Sequence, residues 1–104
     1  NSADGIRDMG LLESAIYSPF QTFGGKEIYP NPIEKAALLA FKIIKNHPFV
    51  DGNKRTGIVA MFLCLKMYKI KIISTEDEEE ELVYKIVEEK ENYHIIEWLK
   101  ERII

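Results

Sequence analysis

Apolar positions recur at helical spacing along most of the chain. From Asp8, the residues Leu11, Leu12, Ala15 and Ile16 share one helix face, with Asp8 placed to cap the start and Pro19 to end the run. Asn31-Pro32-Ile33-Glu34 opens a second helix. Asn31 caps it, Pro32 sits where its missing N–H costs nothing, and Glu34 can reach back to the cap. This helix runs through Ala36, Ala37, Ala40, Phe41 and Ile44 to about Asn46, and its alanines leave room for a close neighbour. Pro48 then disfavours helical geometry at His47. Thr56 to Tyr68 is apolar nearly all round, which predicts a helix in the middle of the fold. Thr75 and Glu78 form a capping box ahead of a helix that buries Leu82, Val83, Ile86 and Val87. A last helix, over about 93–102, presents Ile95, Ile96, Leu99 and Trp98.

Residues 20–30 break this pattern. Gly24 and Gly25 lie between short aromatic and β-branched stretches, which predicts a small hairpin standing out as a flap. Residues 69–73 suit a connector or an edge strand. The six carboxylates from Glu76 to Glu81 fall on the first turns of their helix, where the macrodipole favours negative charge. The expected fold is all-α: about five helices around a central buried one, with a short flap hairpin.

Composition narrows the function classes. The 104 residues make one domain, 1–104, and the 46% hydrophobic and 30% charged fractions are those of an ordinary globular chain. The chain opens on Asn1-Ser2-Ala3 without a methionine, so a leading segment is expected to be missing. A net charge of −3 argues against broad attraction to nucleic acid. The single cysteine, Cys64, excludes an intramolecular disulfide and a zinc site built on paired thiolates. That usage suits the cytoplasm, and Cys64 itself reads as a small core residue. The longest apolar run, Ile58 to Leu65, is far too short to span a membrane. His94 reads as a surface residue.

Candidate chemistry is concentrated in His47-Pro48-Phe49-Val50-Asp51-Gly52-Asn53-Lys54-Arg55-Thr56-Gly57. Gly52 and Asn53 tolerate unusual backbone angles directly before the apolar helix, so successive N–H groups there can form a concave nest for phosphate. Lys54 and Arg55 add positive charge to the same spot. His47 is a proton acceptor near neutral pH, and Asp51 a hard oxygen ligand for a cation such as Mg²⁺. The plainer alternative has His47 and Asp51 as helix caps and the basic pair as solvated surface.

This run resembles the Fic/Doc signature H-x-F-x-[DE]-[GA]-N-x-R. The resemblance extends to Gly5-Ile6-Arg7-Asp8, to Gly10-Leu11-Leu12-Glu13-Ser14-Ala15, and to Thr22-Phe23-Gly24-Gly25 with Tyr29-Pro30, which look like the death-on-curing (Doc) branch. It implies His47 as general base, Asp51 as the Mg²⁺ ligand, and Gly52, Asn53, Lys54 and Arg55 as the binding site for ATP phosphates. Phe49 would anchor the loop in the core. The flap residues Phe23, Gly24, Gly25, Lys26, Glu27, Ile28 and Tyr29 would hold a protein target by strand addition. Arg7 and Asp8 receive no catalytic role.

Two departures bear on the reaction. Family members that attach AMP to proteins usually carry Gly after the Asn and a second Arg three residues past the first; here Lys54 and Ile58 stand in those places. Both match the Doc branch, and the resemblance then implies a toxin that moves the γ-phosphoryl group of ATP to a Ser or Thr of a protein such as elongation factor Tu. Protein adenylylation on the same scaffold is one alternative, and a non-catalytic interaction module is another. The family's inhibitory motif, [ST]-x-x-x-E-[GN], has no match in the chain. Inhibition is therefore expected from a separate antitoxin chain, whose helix would bind in a hydrophobic groove near the ATP site.

Overall fold

The computed structural model describes residues 5–104. The described residues form five α-helices: α1 (Met9–Tyr17), α2 (Pro32–Asn46), α3 (Asn53–Met67), α4 (Glu76–Glu88) and α5 (Tyr93–Arg102). A 3-10 turn, Ser18–Phe20, follows α1, and a two-stranded antiparallel hairpin, β1 (Thr22–Phe23) and β2 (Lys26–Glu27), stands before α2. The all-α expectation holds.

Local chemistry sets most boundaries. Asp8 accepts a hydrogen bond from the Leu11 amide at 3.0 Å and starts α1. Asn31 accepts from the Ile33 amide at 2.8 Å and starts α2 behind Pro32. At α4 the capping box is complete: Thr75 Oγ1 accepts from the Glu78 amide and Glu78 accepts from the Thr75 amide. Each such cap contributes about 1 kcal/mol. The hairpin turns on Gly24 and Gly25, both at positive φ (58° and 80°), the pair of angles a two-residue type I′ turn requires.

The central buried helix is α2 rather than α3. Ala36, Ala37 and Ala40 are fully buried, Ile43 and Ile44 nearly so, and α2 touches α1, α3, α4 and α5. Against it α3 buries Gly57, Ile58, Met61, Cys64 and Leu65. The opposite side of α3, Val59, Leu63 and Met67, faces solvent. An all-round apolar helix was expected in the middle; α3 is instead covered along one side, because the alanine-rich face of α2 gives the closest contact. The bundle closes as Leu82, Ile86, Ile95, Trp98 and Leu99 join the same core.

Residues 69–73 behave as a connector with one bridge of strand character. Ile72 pairs with Ile103, and Ile73 N–H donates to Arg102 O. Arg102 ties the end of α5 to the start of α4 through Glu78, and its guanidinium stacks 4.2 Å from the Trp98 ring. No described helix is long and apolar enough to cross a membrane.

Candidate active site

The site residues converge where α2 ends and α3 begins. His47 is the C-cap of α2, at φ 49° and ψ 57° in the left-handed region, with its N–H donating to Ile43 O. That conformation costs a residue with a Cβ about 1 kcal/mol, and it turns the chain sharply out of the helix. His47 itself is exposed, whereas Pro48 is buried and Phe49 packs against the core.

Asn53 organises the loop from within. It is buried; its Oδ1 accepts from the Phe49 amide at 2.9 Å and its Nδ2 donates to Phe49 O at 2.9 Å. These two bonds fix the side-chain amide, so its NH2 group is what faces His47 Nδ1, 3.4 Å away. At that length the contact is weak and sets no tautomer.

Gly52 is the N-cap of α3, with φ 76°, and no side chain caps the helix. The first intrahelical bond at this end is Thr56 N–H to Gly52 O, so the amides of Asn53, Lys54 and Arg55 stand ahead of it at the positive end of the helix dipole. The helix begins three residues earlier than the apolar pattern suggests, because a left-handed glycine turns the chain directly into it. Asp51, exposed, does not cap α3: its Oδ1 accepts from the Gly52 amide at 2.8 Å. Lys54 and Arg55 are exposed on the first turn.

From that turn an open groove of about 650 Å³ runs between α3 and α4. Lys54, Arg55, Ile58, Val59 and Phe62 form one wall; Glu76, Glu79, Glu80, Val83 and Tyr84 form the other. The groove is thus basic at one wall's start and acidic at the other's, with Ile58, Val59, Phe62 and Val83 as its apolar lining. His47 and Asp51 lie outside it.

The flap is anchored at the other end of α2. Its stem is held by Lys35, which is 1% exposed. Lys35 Nζ donates to Glu27 Oε1 at 2.8 Å, to Tyr29 O at 2.5 Å and to Pro19 O at 3.4 Å, with the Phe20 ring 5.6 Å away. Both ends of the flap are therefore clipped to the first turn of α2. Twelve residues of helix, about 18 Å at 1.5 Å per residue, separate Lys35 from His47. Phe23, Gly24, Gly25, Lys26, Glu27 and Ile28 are exposed and Tyr29 half-buried.

Nothing in the sequence singles out Lys35 or gives Arg7 a catalytic role. Arg7 Nε donates to His47 O at 2.6 Å and Nη2 to Asn46 O at 2.7 Å. Neither contact carries a sequence signal, since one spans 40 positions and the other 39. Cys64 is buried, and burial pushes its thiol up against the opposing pull of the Lys35 charge. It is a core residue, and His94 is an exposed one beside Glu89.

The described residues hold no cluster of three or more His, Cys, Asp and Glu side chains suited to a metal. A divalent ion here would rest on Asp51 and on oxygens brought by a substrate. Mg²⁺ is held in that way where phosphates are the substrate, so the residues present fit it.

A model of the Fic/DOC family matches residues 2–65. The chain belongs to that family. The match takes in α1, the hairpin, α2, the motif loop and most of α3, while α4 and α5 lie beyond it. A curated relative, the Toxin Doc of Mycolicibacterium smegmatis, is 38% identical over 72 residues, which are 69% of this chain and 55% of that protein. The chain thus spans about half the length of the curated relative it matches. No solved structure matches it.

Proposed function

We propose that this Fic/DOC protein is a Doc-like toxin and a transferase that moves the γ-phosphoryl group of ATP to a Ser or Thr hydroxyl of a protein, with elongation factor Tu the first target to try. One observation carries the reading: an exposed histidine, an exposed carboxylate, two exposed cations and the leading amides of an uncapped helix all lie within the nine residues that leave α2 and enter α3. Phosphoryl transfer asks mainly for positioning and charge stabilisation, and this set supplies both.

The amides of residues 53–55 and the side chains of Lys54 and Arg55 bind and orient the phosphates. Asp51 would hold Mg²⁺, which when bound neutralises phosphate charge. His47 takes the proton of the target hydroxyl as its oxygen bonds to the γ-phosphorus. The bond from that phosphorus to the bridging oxygen breaks, and ADP leaves. Lys54 and Ile58, in place of the glycine and second arginine usual in AMP-transferring members, favour γ- over α-transfer. The hairpin would receive an extended segment of the target. The apolar residues Ile58, Val59, Phe62 and Val83 and the acidic wall between α3 and α4 suit a helix of a separate antitoxin chain with apolar and basic faces.

The test uses ATP labelled on either the α or the γ phosphate. Label should reach the target from the γ position alone, and His47→Ala should lower transfer about 10²–10⁴-fold with nucleotide binding retained. Label arriving from the α position overturns the reading in favour of adenylyl transfer. Nucleotide binding without transfer of either label points to an interaction module.

A further inference from the structure

The motif loop has two supports, and one of them comes from outside the motif. Asn53 grips Phe49 from within. On the other side the segment before α1 runs antiparallel to the loop: Arg7 N–H and Asp8 N–H both donate to Pro48 O, at 2.7 and 3.1 Å. Val50 N–H donates to Gly5 O at 2.9 Å, and Ile6 bridges to Phe49. The Arg7 guanidinium adds its fork, Nε to His47 O and Nη2 to Asn46 O.

Those two carbonyls are special. The oxygen of Asn46 belongs to the peptide plane before His47, and the oxygen of His47 to the plane after it. Holding both fixes the φ and ψ of His47, and with them the direction of its Cα–Cβ bond. His47 needs such a hold, because its left-handed conformation persists in a residue with a Cβ only where the surroundings over-determine it. The fork also places a cation at the C-terminus of α2, where orphan carbonyls and the negative end of the dipole favour it. A lysine ammonium also has several donors, but it carries them on a flexible stem without the planar fork, so it holds the two planes less rigidly.

We propose that Arg7 is a positioning residue for His47, aiming the imidazole at the reacting hydroxyl through the two flanking peptide planes. The proposal rests on the reading of His47 as the proton acceptor. Arg7 spends Nε and Nη2 on the two carbonyls, so its loss should act on the rate and not on nucleotide affinity.

The experiment compares the wild-type protein with Arg7→Lys and Arg7→Gln. Arg7 is exposed, so both variants should keep wild-type helicity. For transfer, kcat should fall roughly tenfold to a hundredfold, while KM for ATP stays within about twofold. Arg7→Lys should keep kcat below the wild-type value, because the fork is lost even where the charge is kept. In NMR spectra the His47 ring signals should shift and the Val50 amide should exchange faster, with α5 amides unaltered. Unchanged kcat, a loss expressed as raised KM for ATP, or unmoved His47 ring signals each overturn the proposal. Should Arg7→Gln fail to fold, Arg7→Lys carries the test alone. A wild-type protein that transfers neither labelled phosphate sinks the reading of the site, and the His47 ring and Val50 amide then still decide whether Arg7 sets the loop.

Discussion

Gly57→Ala tests the contact that holds the two site-bearing helices together. A Cβ added at Gly57 meets Ile44 Cγ1 at 2.6 Å, Ile44 Cδ1 at 3.0 Å and the backbone oxygen of Ala40 at 3.3 Å. Carbon atoms in contact prefer about 3.5–4.0 Å, so Ile44 or α3 must give by about 1 Å. Ile44 is 1% exposed and Ala40 fully buried, and the closest atom lies near the Ile44 backbone, so the strain has no easy outlet. Alanine in a helix gains about 1 kcal/mol over glycine, whereas overpacking a tight core costs about 1–3 kcal/mol. The second effect wins by about 1 kcal/mol, a fall in Tm of about 4–8 °C for a domain this size. Because Gly57 lies one turn from Asn53–Arg55, displacing α3 also moves those residues relative to His47 and weakens nucleotide binding. Thermal unfolding and titration with ATP give the two readings. The cycle with Ile44→Ala, which removes both clashing atoms, should show the glycine substitution costing less in that background. A raised Tm for Gly57→Ala alone refutes the reasoning, since helix propensity would then have met no steric opposition.

Two further predictions concern charges whose partners are fixed by the fold. Lys35→Met keeps an apolar stem in place and removes the ammonium that clips both flap ends, so trypsin should cut after Lys26 several-fold faster while the bundle stays folded; an unchanged rate means the hairpin does not depend on Lys35. For Glu78, the hydrogen bond from Arg102, followed by those from the Thr75 cap, holds the carboxyl below the ordinary 4.5. A folded-state value below the unfolded one gives stability that is present above about pH 4.5 and is lost as pH falls through the folded value. Glu78→Gln should therefore flatten the acid side of a Tm-against-pH curve, and an acid limb as steep as wild type's would contradict this.

Local signals were legible where one residue type decides one boundary. Asp8, Asn31 with Pro32, and Thr75 with Glu78 start their helices as the sequence leads one to expect, and the last helix occupies Tyr93–Arg102. That the residues from His47 to Arg55 lie at one end of the two helices was legible as well, because a loop of six residues and the first turn of α3 leave little freedom to scatter them. Partners distant in sequence were not. Lys35 looks like a solvent-facing position in an alanine-rich helix, and its burial depends on acceptors that the hairpin delivers only once folded. Arg7 acquires its partners only when the segment before α1 lies along the loop. The apolar surface of α3 has no polar stripe to say which side the bundle covers, so the exposed line of Val59, Leu63 and Met67 follows from where α2 and α4 lie.

An uncapped helix start is weak support for a phosphate site, because α5 also begins without a side-chain cap. The difference lies in what surrounds the free amides. At α5 the residues ahead of and within the first turn are Glu89, Lys90, Glu91, Asn92, Tyr93 and His94, where two carboxylates outnumber the one cation. At α3 they are Lys54 and Arg55, with a single carboxylate, Asp51, whose Oδ1 is already engaged by the Gly52 amide. Glycine in place of a capping side chain costs a helix only a few tenths of a kcal/mol, so leaving these amides open to a ligand is nearly free. The larger expense is the left-handed histidine beside them, about 1 kcal/mol, which the Arg7 bonds to the flanking carbonyls and the Asn53 bonds to Phe49 offset. A bend built only to reverse the chain has no need of a strained, solvent-facing imidazole, since a glycine at position 47 would make the same turn without the strain.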